Sequence, residues 1–209
     1  MKIVVVGAAG MVGSRVVAEA VRRGHDVVAV CRRAVEGWPE GVIAAEGDAG
    51  DRERMGELFA GADAVVQATR PRPGRESGVP ALTTAVLDAA AAADVRVLVV
   101  GGASVLRGPD DPERLLIDDP RHVPEEWRAF AAASLAQYRA CEAHRADWTY
   151  LSPAAFLEPG VRTGRYRRGG NVLLTDAEGR SRISAEDLAA AVLDELETPS
   201  GTRHITAAY

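Results

Sequence analysis

Gly7, Gly10 and Gly13 stand three residues apart in VVVGAAGMVGSRV (4–16), directly behind a run of valines. That spacing suits the binding of a dinucleotide's paired phosphates. The first glycine permits a tight exit from a strand, the second lets backbone approach a phosphate, and the third lets a helix pack onto the sheet. The helix then offers free N–H groups and the positive end of its dipole to the anion. Without a ligand, the same residues make a tight strand-to-helix turn. No lysine follows the glycines, so a triphosphate loop is excluded.

The next chemically informative stretch is CRRAVEG (31–37). A second strand that binds NAD usually ends in Asp or Glu, which accepts hydrogen bonds from ribose hydroxyls. Arg32 and Arg33 occupy that place. Arginine suits a 2′-phosphate through paired, charge-assisted hydrogen bonds, so the expected cofactor is NADP (NADPH). In EGDAGD (46–51), Asp48 and Ala49 are candidates to lie along the adenine, with Asp48 as a helix cap the alternative reading.

Composition restricts the chemistry further. The chain carries 25 basic residues, and Lys2 is the single lysine. Arginine stays protonated and cannot easily act as a base or a Schiff-base amine. Lys2 precedes the first strand, at the end away from the glycine turn. No lysine is therefore available for a phosphate loop or a Tyr-Lys catalytic pair. The net charge of -5 argues against nucleic-acid binding. No apolar stretch is long enough to span a membrane. The N-terminus enters a strand directly, which reads as a mature cytoplasmic start. Cys31 and Cys141 have no framework or metal spacing and read as reduced thiols. The expected partner is a small-molecule acceptor, and the expected state a monomer or homodimer.

These residues need a scaffold, and the apolar pattern supplies one. Strands are expected at 3–6, 26–31, 41–45, 63–68, 95–100, 148–152, 171–175 and 204–208. Helices are expected at 11–23, 51–61, 78–93, 126–145 and 184–197. The strands are continuous apolar runs, as in a parallel sheet covered on both faces. The fold class is α/β, a doubly wound parallel sheet (Rossmann fold) with a small C-terminal substrate lobe. Residues 1–209 form one domain, with 105–126 and 155–182 as the expected substrate lobe. The Pro- and acid-rich part, 108–126, is either a linker or a lid. Ser184, with Asp187 three residues on, reads as a helix cap.

GAAGMVG, GHDVVAVCRR, EGDAGD and DAVVQATRP together resemble the atypical short-chain dehydrogenase/reductases. The likeness is strongest to the bacterial NAD(P)H-flavin reductase branch, with NmrA-like proteins and flavin/biliverdin-IXβ reductases as relatives. It continues through DWTYLSPAAFLEPGVRTGRY (147–166) and LLTDAEGRSRISAEDLAAAVLDELE (173–197). The resemblance implies an NADP-binding Rossmann fold with FMN or FAD as a substrate. It puts Gly7, Ala9, Gly10, Met11 and Val12 on the pyrophosphate turn, and Arg32 and Arg33 at the 2′-phosphate. It puts Ala68, Thr69 and Arg70 beside the cofactor, and Pro153, Ala154, Ala155 and Phe156 around the nicotinamide. Ser104, in GGASVL, falls where flavin reductases place a serine near that ring, and is the candidate catalytic residue.

One departure matters. In YRACE (138–142), Glu142 stands where the wider superfamily has lysine, and Tyr138 occupies the place of a lysine found in many atypical relatives. Alcohol–ketone chemistry through a Tyr-Lys pair is therefore disfavoured. Hydride transfer to a flavin, quinone or similar flat ring asks mainly for positioning. RTGRYRR (162–168) is a candidate positive patch for a flavin phosphate or a carboxylated substrate. Its alternative is a charged surface hairpin. Trp127, Trp148 and Phe156 could stack on a flat ring, with Trp148 better suited to the core. Two other classes remain open: an NADP-sensing regulator without turnover, and a nucleotide-sugar epimerase or dehydratase.

Overall fold

A computed structural model describes residues 1–71 and 73–209 of the chain. Its centre is an eight-stranded sheet in the order β3-β2-β1-β4-β5-β6-β10-β8. β1 (Lys2–Val6), β2 (Asp26–Cys31), β3 (Val42–Glu46), β4 (Ala64–Gln67), β5 (Arg96–Val100), β6 (Trp148–Pro153) and β10 (His204–Ala208) run parallel. β8 (Arg167–Gly169) adds one antiparallel edge. The connecting helices are α1 (Met11–Arg22), α2 (Arg52–Phe59), α3 (Val79–Ala92), α4 (Arg128–Glu142) and α5 (Ala185–Glu197). β7 (Phe156–Glu158) and β9 (Arg182–Ser184) pair separately, in parallel.

The first strand shows why its sequence is apolar throughout. Ile3 and Val5 enter a core with Val16, Val17 and Ala20 of α1 and Leu188, Val192 and Leu193 of α5. Val4 and Val6 point the other way, among Met55, Phe59, Val86, Leu87 and Cys141 from α2, α3 and α4. Successive strand residues face opposite sides, so burial on both faces demands an unbroken apolar run. Each fully buried valine contributes roughly 1.5–2 kcal/mol. β1 is flanked by β2 on one side and β4 on the other. The winding reverses there and opens a crevice beyond the carboxyl ends of β1 and β4. Among the described residues, no helix is long and apolar enough to cross a membrane.

The elements that frame the crevice fall close to the expected boundaries, and Asp51 and Ser184 cap α2 and α5. The strand expected at 171–175 is not formed. Val172 makes only an isolated bridge to Arg107, while Leu173 turns into a third small core with Leu106, Leu116, Ile117, Val123 and Ala131. The strand at this edge is instead Arg167–Gly169, an arginine-rich segment held by backbone pairing to β10. The segment 108–126 folds onto the same small core. Within it, Asp119 accepts hydrogen bonds from the Arg121 backbone and guanidinium.

RTGRYRR does not form the free positive patch considered for it. Arg162 donates twice to Glu19, Tyr166 hydrogen-bonds Asp194, Arg167 donates to the Thr175 and Tyr209 carbonyls, and Arg168 approaches Glu195. Acidic groups on α1 and α5 capture Arg162, Tyr166 and Arg168, and backbone carbonyls take Arg167. Glu19 is the centre, with Arg22 and Arg23 also donating to its carboxylate. Burial alone would raise its pKa, but hydrogen bonds from Arg22, Arg162 and Arg23 hold it well below the usual carboxylate range.

Removing that charge takes the shared acceptor from Arg22, Arg23 and Arg162. Glu19→Gln should therefore cost about 2–3 kcal/mol and lower Tm by about 5 °C or more, read by calorimetry. The depressed carboxylate supplies stability above its unfolded value of 4.5. Wild-type stability should thus fall as pH drops below that value, and the variant should lose less over the same range.

Candidate nucleotide-binding site

The glycine turn is shaped by close backbone approach. Gly7 adopts φ +85°, in the left-handed region, and a Cβ there would lie 2.8 Å from the Ala68 carbonyl oxygen. Its N–H and that of Ala8 both donate to the Val30 carbonyl, at 3.0 and 3.2 Å, tying the turn to β2. A Cβ on Gly13 would stand 2.2 Å from the Gly7 carbonyl oxygen, so α1 can seat here only without a side chain. Gly10 is different. Its backbone is ordinary extended, and a Cβ would meet Gly7 O at 3.2 Å. The protein's own packing demands this glycine least, which suits a position kept open for a ligand.

α1 begins at Gly10 with no side-chain cap and no acidic residue in its first turn. The first N–H groups of a helix have no intrahelical acceptor. At α2 and α5 a side chain takes one of them, whereas α1, like α3 and α4, has no side-chain cap. The Gly10 N–H turns back to the Gly7 carbonyl at 3.0 Å, so the Met11 and Val12 amides are the candidate donors to a dinucleotide's pyrophosphate, with Ala9 exposed beside them.

Arg32 and Arg33 follow β2 and are exposed. Neither makes an ion pair or side-chain hydrogen bond among the described residues. The nearby Glu46 carboxylate is occupied by the Ala34 N–H at 2.7 Å. Asp48 accepts from Gly50 N at 2.9 Å and shapes its own loop, while Ala49 is buried. The α2 cap is Asp51, so the capping alternative for Asp48 does not hold.

At the other end of the crevice, Ala68 and Thr69 are half-buried after β4 and Arg70 is exposed. β5 ends in Gly101 and Gly102. A Cβ on Gly101 would fall 1.9 Å from the Tyr150 hydroxyl, and one on Gly102 2.5 Å from the Ser134 hydroxyl. Side chains from β6 take both polar groups of Gly102. Its N–H approaches the Tyr150 hydroxyl at 3.4 Å, and its carbonyl accepts from Ser152 at 2.9 Å. His204 Nε2 lies 2.9 Å from the Ser152 oxygen. Burial lowers the His204 pKa to about 4, so the ring is neutral near pH 7. With the Ser152 proton on Gly102, that ring donates to Ser152. The doublet GG after VLVV was the only sequence signal for this clamp, and neither Ser152 nor His204 was singled out from the chain alone.

Ser104 lies two residues beyond Gly102 and is buried. Its hydroxyl donates to the Ala131 carbonyl at 3.1 Å. It can still accept a hydrogen bond, but its proton is committed to α4. Pro153 and Ala154 are buried after β6, while Ala155 and Phe156 reach the surface. Tyr138 packs against Trp148, Tyr150 and His204. Burial, reinforced by Glu142, pushes its pKa up to about 12. A groove of about 420 Å³ lies elsewhere, between residues 158–163, residues 176–184 and Tyr209, and includes none of the glycine turn.

A doubly wound sheet with a glycine turn at its switch point is the architecture of an NAD(P)-binding Rossmann protein. Residues 7–199 match the NAD(P)H-binding family model, and the chain belongs to that family. It is 38% identical over 205 residues to the protein YwnB of Bacillus subtilis (strain 168), covering 95% of this chain and 93% of that one. A solved structure named "putative epimerase", from Bacteroides thetaiotaomicron, is 36% identical with a TM-score of 0.89, covering 100% of this chain and 96% of that one. Another, named "putative NADH-flavin reductase", from Streptococcus pneumoniae TIGR4, is 30% identical with a TM-score of 0.86, covering 100% and 99%.

Gly13→Ala puts a methyl into the Gly7 carbonyl. It should cost about 2–3 kcal/mol and weaken NAD(P)H binding about tenfold or more. Calorimetric titration of the folded variant checks this, and retained affinity would show that the helix seat does not govern the phosphate turn.

Proposed function

We propose that the protein is an NADPH-dependent oxidoreductase that passes hydride to a flavin, a quinone or a similar flat acceptor. The observation that carries this reading is the state of Tyr138. The tyrosine sits in an aromatic cluster, its pKa is raised, and Glu142 stands in place of the lysine that would lower it. Lys2, the chain's single lysine, donates instead to the Ala60 carbonyl. Ketone reduction needs a group that protonates a developing alkoxide near neutral pH. A conjugated ring spreads the incoming charge, and solvent at an open cleft can supply the proton. The same argument disfavours epimerase or dehydratase chemistry, which would use the missing pair.

When bound, NADPH supplies a hydride, equivalent to two electrons and a proton, and leaves as NADP+. The chain's task is then to hold two flat rings in contact, which is catalysis by positioning. Arg32 and Arg33 take the 2′-phosphate, the amides at the start of α1 take the pyrophosphate, and Asp48 and Ala49 border the adenine. Thr69, Ala155 and Phe156 border the nicotinamide. Because its proton goes to Ala131, Ser104 acts as an acceptor, suited to the carboxamide NH2 of the nicotinamide.

Mixing the protein with NADPH and FMN, or with a quinone, should give acceptor-dependent loss of absorbance at the nicotinamide band. Cofactor binding without that loss would make the protein a sensor and overturn the reading. Arg32→Ala should weaken NADPH about tenfold and NADH within about twofold. Equal losses would defeat the 2′-phosphate assignment. Ser104→Ala should lower kcat about tenfold while NADPH affinity stays within about twofold. Unchanged turnover would remove Ser104 from the reaction.

A further inference from the structure

We propose that Trp127, Phe130 and Arg70 form an acceptor subsite that selects flat molecules carrying an anionic group. The inference rests on the hydride-transfer reading and narrows its substrate class. Trp127 ends the single 3-10 turn Glu125–Trp127 that leads into α4, and its side chain is 51% exposed. The Phe130 ring lies 6.0 Å from it, tilted by 48°. The Arg70 guanidinium sits over the Phe130 ring, 5.1 Å from its centroid. Arg70 makes no ion pair or hydrogen bond among the described residues.

The position of this group gives it meaning. Arg70 follows β4, one residue beyond Thr69. Ala131, next to Phe130, receives the Ser104 hydrogen bond, and Ser134 packs against Gly102. The first turns of α4 therefore rest on the end of β5, which borders the nicotinamide in the proposed reaction. Phe156, 67% exposed, follows the neighbouring β6. Phe59, Trp148 and Tyr150 are all buried, and among the described residues Tyr209, 38% exposed, is the other large ring at the surface. Exposure of two large aromatic side chains beside the same strand ends departs from that pattern.

The chemistry of the three side chains is complementary. The indole offers a flat apolar face for stacking. With its carbon 5.1 Å from the Phe130 centroid and no hydrogen bond among the described residues, the guanidinium keeps its N–H donors free, and such a fork matches a carboxylate, phosphate or sulfonate bidentately. Of the nearby carboxylates, Glu125 is paired with Arg128, 3.6 Å away, and Glu126 is exposed. An uncharged ring would gain the stacking alone.

The test compares FMN with riboflavin, and a naphthoquinone bearing a sulfonate with its unsubstituted parent, on the full chain with NADPH. The anionic member of each pair should show about tenfold higher kcat/KM. Arg70→Gln should bring both ratios within about twofold of one. Trp127→Ala should weaken both members of a pair about equally, and Trp127→Phe should restore most of the loss. A second arm needs no turnover. Flavin fluorescence is titrated with protein saturated with NADP+, and FMN should bind about tenfold tighter than riboflavin in the wild type but not in Arg70→Gln. Ratios near one in the wild type, or ratios that survive Arg70→Gln, overturn the subsite even if NADPH is oxidised. If no acceptor oxidises NADPH, the hydride reading fails on its own and the titration still decides the subsite. Both side chains are exposed, so the variants should melt with the wild type.

Discussion

The seat of α1 against the Gly7 carbonyl is the contact on which the rest of the molecule depends. It brings helix and turn closer than any side chain at residue 13 would allow. That closeness fixes the direction of the helix axis and therefore the direction of its first N–H groups. The chain does nothing to satisfy those groups, although it caps two of its other helices with Asp51 and Ser184. An absent cap forgoes about 1 kcal/mol. The apolar faces of α1, buried against the sheet and α5, make that loss tolerable. Stability comes from the core, and the helix terminus carries no cap of its own.

The C-terminal half is fastened differently. Segment 162–168 contains one glycine, Gly164, and little apolar surface, and it is held by charge. Glu19 receives Arg22, Arg23 and Arg162, while Arg23 also reaches Asp194 and Glu197. Asp187 accepts from the Thr163 hydroxyl, the Gly164 N–H and the Tyr209 hydroxyl. A planar fork with several fixed donors can satisfy two carboxylates at once, which a single ammonium on a flexible stem does less well. The near-total use of arginine thus has a structural expression: it clamps the lobe to α1 and α5.

The parallel sheet was legible because burial on both faces forces unbroken apolar runs, and the helices because their apolar spacing and the caps are local signals. The strand-to-helix turn was legible because glycine spacing reports a backbone requirement. The edge strand Arg167–Gly169 was not, since its pairing to β10 is all backbone and its side chains look like those of a surface loop. NVLLT misled for the opposite reason: its apolar residues serve a small local core rather than a sheet. The fate of RTGRYRR could not be read locally either, because Glu19 lies 143 residues from Arg162. At the site, residue identity located Ser104 but not its proton, which depends on how α4 docks.

In the proposed reaction, positioning at the carboxyl ends of β5 and β6 takes the place of acid–base machinery. Gly102 cannot move independently of β6, because Tyr150 and Ser152 hold its N–H and its carbonyl, with neutral His204 behind Ser152. Tyr150 also donates toward the Ser134 carbonyl and Gln137, and Gln137 reaches Thr83 on α3. Gln67 at the end of β4 joins the same Thr83. The carboxyl ends of β4, β5, β6 and the start of β10 are thereby linked through side-chain hydrogen bonds in a buried, low-dielectric setting, where satisfied polar networks rigidify what they join. Tyr138, Tyr150 and His204, the titratable rings here, are all shifted toward their neutral forms, so none exchanges protons readily near pH 7. A wall built this way is poor at moving protons and good at holding a ring still, which is the division of labour that hydride transfer to a conjugated acceptor requires.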